Sequence, residues 1–209
     1  MNNKNPDIGR IDKCIQDTLI EIPISNGHEE VMATFISFKG LDFDKEHFAI
    51  GLGNWRDVKI PTVRIHSECM TGDVFMSRRC DCGEQLKEAI NLLSVMGGII
   101  LYLRQEGRGI GLYSKFAAYK LQDEGYDTYE ANQQLGFNKD SREFNIAAEM
   151  LKSLGRTQIH LHTNNMDKQD QLIKSGIDVV SVINTKVYEN PHNLNYLNAK
   201  HLAGHKLNK

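Results

Sequence analysis

Apolar and polar positions change rhythm along the chain. Val31-Met32-Ala33-Thr34-Phe35-Ile36-Ser37-Phe38 alternates in part and is rich in β-formers, which predicts a strand. Residues 46–52 and 62–65 predict two more, and Gly27, Gly40, Gly51, Gly53 and Pro61 mark the breaks. Further on, Leu86, Ala89, Ile90 and Leu93 stand at i, i+3, i+4 and i+7, one face of a helix that Gly97-Gly98 ends. Residues 99–103 then read as a buried strand. Helices follow over 112–123 and around Phe144, Ala147, Ala148 and Leu151, then a strand over 158–161, a helix over 167–174 and a strand over 178–183. Strands separated by helices predict a sheet with parallel members and helices on its faces. The expected class is α/β: a mixed sheet flanked by helices, with an antiparallel β-rich N-terminal part. Residues 1–10 read as a loose arm, 11–209 as one domain, and the last few through Lys209 as a fraying end.

Composition narrows the partners. The chain has 209 residues, 40% apolar and 25% charged, values typical of a folded globular protein. Lys plus Arg is 25 against 27 Asp plus Glu, a net charge of −2. That balance argues against coating nucleic acid by bulk charge but leaves room for a local basic pocket. The longest apolar run, Gly98 to Leu103, is strand length, so no membrane span is expected. The start, Met1 to Pro6, lacks the apolar centre of a signal peptide, and a cytoplasmic location is expected.

The four cysteines are Cys14, Cys69, Cys80 and Cys82, and a disulfide framework is not expected without a secretory signal. Cys69 and the pair around Asp81 could converge on one tetrahedral metal, and sulfur favours zinc over magnesium. Three readings stay open: plain buried thiols, a closed structural zinc completed by His66, or a catalytic zinc with water in the fourth position. Arg104-Gln105-Glu106-Gly107-Arg108-Gly109-Ile110-Gly111 follows a strand and precedes a helix. It is either an anion cradle or a glycine-rich turn with solvated arginines, and it matches neither the Walker nor the dinucleotide fingerprint. Asp140-Ser141-Arg142-Glu143 has the spacing of a capping box, which is the reading this segment favours alone. Thr163-Asn164-Asn165 suits a helix cap, and a lone helical Tyr119 suits packing.

Taken together, these segments resemble GTP cyclohydrolase II. The likeness is carried by Arg64-Ile65-His66-Ser67-Glu68-Cys69, Arg79-Cys80-Asp81-Cys82-Gly83 and Arg104 through Leu112. Leu121 through Thr128, Ala131 through Phe137, and Thr163-Asn164-Asn165 extend it. Order and spacing agree from about Val63 to Lys168, although Met166-Asp167 stand where the family often carries Pro-Lys.

The resemblance implies GTP as substrate, hydrolytic opening of its imidazole ring, and release of formate and pyrophosphate. The product would be 2,5-diamino-6-(5-phosphoribosylamino)pyrimidin-4-one, the first committed step toward riboflavin. It implies zinc on Cys69, Cys80 and Cys82, with magnesium neutralising the leaving pyrophosphate. Tyr119 would stand beside the ring chemistry. Arg142 corresponds to the proposed attacker of the α-phosphate and Asp140 to its proton acceptor. A guanidinium stays protonated, so charge stabilisation is the easier role for Arg142. Arg64, Ile65, His66, Ser67, Glu68, Gln85, Glu106, Gly107, Arg108, Thr128, Thr163 and Lys168 would bind GTP. Glu106 suits the amide edge of guanine, and Arg108 and Lys168 suit phosphates. A homodimer is expected. So is a single activity, since about sixty residues before Val63 are too few for a fused dihydroxybutanone phosphate synthase domain. Two alternatives remain at this point: a related zinc enzyme that stops at the formamide, which Tyr119 argues against, and a nucleotide-binding protein with a structural zinc.

Overall fold

The computed structural model describes residues 13–41 and 45–206; the expected N-terminal arm and the expected fraying at Lys209 lie outside them. Seven strands form one sheet in the order β1-β2-β3-β5-β4-β6-β7. They are β1 (Ile15–Ser25), β2 (Glu30–Lys39), β3 (Phe48–Leu52), β4 (Thr62–Ser67), β5 (Gly98–Leu103), β6 (Gln158–His162) and β7 (Asp178–Ile183). β1, β2, β3 and β5 pair antiparallel, while β5, β4, β6 and β7 pair parallel. The helices are α1 (Met70–Asp73), α2 (Cys82–Met96), α3 (Leu112–Asp123), α4 (Thr128–Gln134), α5 (Asn145–Ser153), α6 (Met166–Lys174) and α7 (Leu194–Leu202). The expected mixed sheet with an antiparallel N-terminal part is what forms. None of the described helices is long and apolar enough to cross a membrane.

Strand alternation sorts the core into two layers. Val63, Ile65, Ile99, Leu101 and Leu103 face one way and meet Phe144, Ala147, Ala148 and Leu151 from the start and body of α5. Ile100 and Leu52 belong to the other layer and pack with Ala89 and Leu93 of α2. The same alternation turns Arg64 and His66 away from the Val63–Ile65 layer. Chemistry therefore collects at the C-terminal ends of β4, β5 and β6, where open α/β sheets bind ligands. Ser67-Glu68-Cys69, Gln105 to Arg108 and Thr163 to Asn165 all leave the sheet there.

Four elements of this architecture are absent from the sequence pattern: β1, the one-turn α1, α4 and α7. β1 is an edge strand with nearly every residue exposed, and it carries Pro23, which edge strands tolerate. α4 opens on a true capping box: Asp127 accepts from Glu130 N at 2.8 Å, and Glu130 accepts from Asp127 N at 2.9 Å. α7 buries only Leu197 and Ala199. The capping box expected at Asp140 and Glu143 does not form. α5 begins at Asn145, and Asp140 Oδ1 instead accepts from Arg142 N at 3.1 Å. Asn165 does cap α6, accepting from Asp167 N at 3.0 Å.

Candidate metal centre and nucleotide site

Cys69 follows β4, while Cys80 and Cys82 flank Asp81, the N-cap residue of α2. Their sulfurs all lie within 4.8 Å of one another, and Cys69 Sγ is 3.7 Å from Cys80 Sγ. A tetrahedral zinc with bonds near 2.3 Å sets its sulfurs about 3.8 Å apart, so this set fits the ion. The space is kept by Gly72 of α1, where a Cβ would lie 3.0 Å from Cys69 Sγ and 3.1 Å from Cys80 Sγ. No further His, Cys, Asp or Glu among the described residues joins the cluster. His66 does not complete it. Its Nε2 is 3.1 Å from Asp73 Oδ1, and Asp73 Oδ2 accepts from Cys69 N at 3.0 Å and from Tyr102 Oη at 2.8 Å. Cys14 is buried elsewhere.

Electrostatics favour thiolate at this spot. Hydrogen bonds from Cys80 and Cys82 outweigh burial and hold the Cys69 thiol down at about 3, with the Lys115 charge adding to the effect. The same sharing pushes Cys80 up. Lys115 Nζ is 3.2 Å from Cys69 Sγ and 2.8 Å from Glu106 Oε1. Burial alone would lower Lys115, but the charges of Cys69 and Glu106 hold it above the ordinary lysine value. Glu106 also accepts from Met70 N at 2.6 Å and from Gly107 N at 2.8 Å. With three donors on about four lone-pair sites, Glu106 keeps little capacity for a base edge.

The turn Glu106–Gly109 holds both Gly107 and Arg108 at φ 62°, a left-handed conformation that is uncommon for arginine. Arg108 O accepts from Ser141 N at 3.0 Å, which docks the 140–142 loop on this turn, and its guanidinium stacks 4.0 Å from the Tyr129 ring centroid. Within that loop Arg142 Nε donates to Asp140 Oδ1 at 2.9 Å. Burial would lower Arg142, but Asp140 outweighs it and keeps the guanidinium above its ordinary value. Asp140 is held below the usual carboxylate range in return, against the opposing effect of burial.

Two cavities meet here. One, about 710 Å³ counting the solvent at its open mouth, is lined by the three thiols' side of the site with Glu106, Arg108, Lys115, Tyr119 and Thr128. The other, about 530 Å³, is lined by Arg64, Gln85, Thr163, Lys168 and His205 among others. Ser67, Cys82, Arg142, Tyr196 and Lys200 line both.

Most residues expected at the site are thus brought together. Glu68 and Gly107 join the first cavity and His66 the second. Two stand apart. Ile65 buries its side chain in the core and offers only its carbonyl, which accepts from Lys168 Nζ at 2.8 Å. Asp140 lines neither cavity and touches the site through Arg142. Sequence reasoning missed Lys115, Tyr196, Lys200 and His205.

A sequence model of the GTP cyclohydrolase II family matches residues 20–184. The chain belongs to the GTP cyclohydrolase II family. It is 56% identical over 170 residues to the GTP cyclohydrolase-2 of Vibrio vulnificus, covering 80% of this chain and 85% of the relative. The Aliivibrio fischeri ES114 protein of the same name is 52% identical over 179 residues, covering 85% and 90%. That of Psychromonas ingrahamii is 54% identical over 180 residues, with the same coverage. Membership in the GTP cyclohydrolase II family makes this chain an enzyme, a hydrolase. The match spans the thiols, both cavities' sheet ends and the Arg142 loop, but stops before α7.

Proposed function

We propose that the protein hydrolyses GTP, opening its imidazole ring and releasing formate and pyrophosphate. The product is 2,5-diamino-6-(5-phosphoribosylamino)pyrimidin-4-one, a riboflavin precursor. One observation carries the reading: two buried cations beside the thiol cluster have only neutral acceptors. Arg64 donates to Gln85 Oε1 at 2.9 Å and to His162 O at 3.2 Å, and its Nε finds no acceptor among the described residues. Lys168 has the Ile65 carbonyl. Burying such charges is costly unless an anion completes them, and a triphosphate does so.

The second cavity therefore takes the phosphates and the first takes the purine, between Tyr119, Ala118 and Ile110. Arg142 lines both, which suits the α-phosphate at the junction. Asp140 keeps it protonated, so its role is to stabilise charge there while water attacks. Cys69, Cys80 and Cys82 would hold zinc, which when bound supplies a Lewis acid that lowers the pKa of water toward roughly 7. Tyr119 Oη lies 3.5 Å from Thr71 Oγ1, itself 3.7 Å from Cys69 Sγ. Burial pushes its phenol up, so it stays protonated and can donate to the ring or water. Arg108, Thr128, Thr163, Gln85, Ser67 and Glu68 complete the substrate shell in this reading. Among the described residues no carboxylate lines the phosphate cavity, so magnesium would ride on the phosphates themselves. A homodimer belongs to the same reading, and exposed Ile20 and Ile22 on β1 support it.

Incubation of zinc-loaded protein with GTP and magnesium tests the proposal. Formate, pyrophosphate and the pyrimidinone are expected in equal amounts; GTP consumed without formate would favour an enzyme that stops at the formamide.

A further inference from the structure

α7 and the residues behind it reach the centre of the site from beyond the part of the chain that the family model matches. The approach to α7 is pinned by Asn193, fully buried, which donates to Tyr188 O at 2.8 Å and accepts from Asn190 N at 2.9 Å. The exit is pinned by Lys206 N, which donates to Asn164 O at 3.0 Å. Between these anchors the helix presents Tyr196 and Lys200 to the wall shared by both cavities, and His205 follows into the second.

We propose that Lys200 is a substrate-binding residue that takes a phosphate of the nucleotide at the junction of the two cavities. The inference rests on the GTP reading and adds to it a cation from the C-terminal arm. Lys200 Nζ donates to Asp81 Oδ1 at 2.8 Å and stands 4.6 Å from the Tyr196 ring centroid. An ammonium has three donors, and Asp81 is the one hydrogen-bond acceptor it has among the described residues. Asp81 is itself buried and accepts from Gln85 Nε2 at 2.7 Å, so Lys200 is aimed and partly neutralised rather than used up. A nucleotide that places its base at the thiols and its phosphates at Arg64 and Lys168 has to pass Lys200. The charges of Lys200 and Arg142 already push on Lys168 and on His205, which burial and these charges hold down at about 3. A polyanion relieves that repulsion.

The rival role is structural, with Lys200 merely neutralising Asp81. Zinc content, affinity for GTP and for guanosine, and KM for GTP are measured on the zinc-loaded full chain, on Lys200→Met and on the double variant Asp81→Asn/Lys200→Met. The double variant removes the buried carboxylate along with its partner. Both variants are expected to lose GTP affinity by about tenfold or more while guanosine affinity stays within about twofold. Recovery of GTP affinity in the double variant would show that Lys200 serves only Asp81 and would overturn the inference. An equal loss for GTP and guanosine in the zinc-replete double variant would overturn it too. Wild-type protein that neither binds GTP nor releases formate would overturn the GTP reading, and this inference with it.

Discussion

A Cβ on Gly72 would lie 3.1 Å from the Cys80 sulfur. The thiols converge over a residue with no side chain, and Gly83 of α2 presses on the same spot, its own Cβ position only 2.3 Å from Gly72 O. Gly72→Ala separates the helix from the metal site. Alanine is the better helix former by about 1 kcal/mol, so α1 itself does not suffer. Zinc per chain and GTP turnover are expected to fall about tenfold or more, while the thermal midpoint of zinc-stripped protein holds or rises. Metal analysis and calorimetry check this, and full zinc loading in the variant would contradict it. In Gly83→Ala the clash is with backbone, so stability drops by about 2–4 kcal/mol even without metal.

Tyr119 tests the ring chemistry. Tyr119→Phe keeps the ring that forms the cavity wall and removes the hydroxyl near Thr71. GTP KM is expected to stay within about twofold and kcat to fall about 10²-fold, the usual scale for a proton donor. Formate should fall more than GTP consumption does. Unchanged turnover would remove Tyr119 from the mechanism.

Lys168 predicts opposite responses of affinity and stability to pH. Burial, then the charges of Arg64, Arg142 and Lys200, push its ammonium well below the ordinary value. Phosphate binding needs the proton, so KM for GTP should rise as pH climbs through that depressed value. Between it and the unfolded value of about 10.4, the unfolded chain binds more protons than the folded one. Stability of the nucleotide-free protein from this group therefore rises with pH across the same window. Lys168→Arg, whose charge persists past pH 12 or so, should flatten the KM profile. A KM profile identical to wild type would show that another group controls it.

The thiol cluster was legible because thiols carry their chemistry wherever they stand and sit close in sequence. β5 was legible because a buried strand paired in parallel is an apolar run. β1 was not: exposed on both faces, it has no burial contrast to print on its pattern. Lys200 and Asp81 are 119 residues apart, and no spacing rule joins them before the chain folds. The Asp140–Glu143 spacing imitates a capping box, yet Arg142 takes the carboxylate first, while Asp127 and Glu130 make the real one.

Arg156 supplies a test of stability apart from the site. Its Nη1 donates to Val58 O at 3.1 Å, and its Nη2 to Trp55 O at 3.1 Å and Arg56 O at 2.7 Å. It thereby buckles the β3–β4 connection onto the turn between α5 and β6. Trp55 is buried there and donates to Thr34 Oγ1 at 3.1 Å, so the buckle also seats the indole against β2. Arg156→Ala strands three carbonyls, but part of this turn reaches water, which re-satisfies some of them. A loss of about 2 kcal/mol is expected, which is about 4–8 °C in the midpoint for a chain of this size. Arg156 lines neither cavity, so kcat and KM for GTP should match wild type below the transition. A changed KM at full folding would mean that the Trp55 turn reaches the nucleotide through the sheet, along β3 to β5.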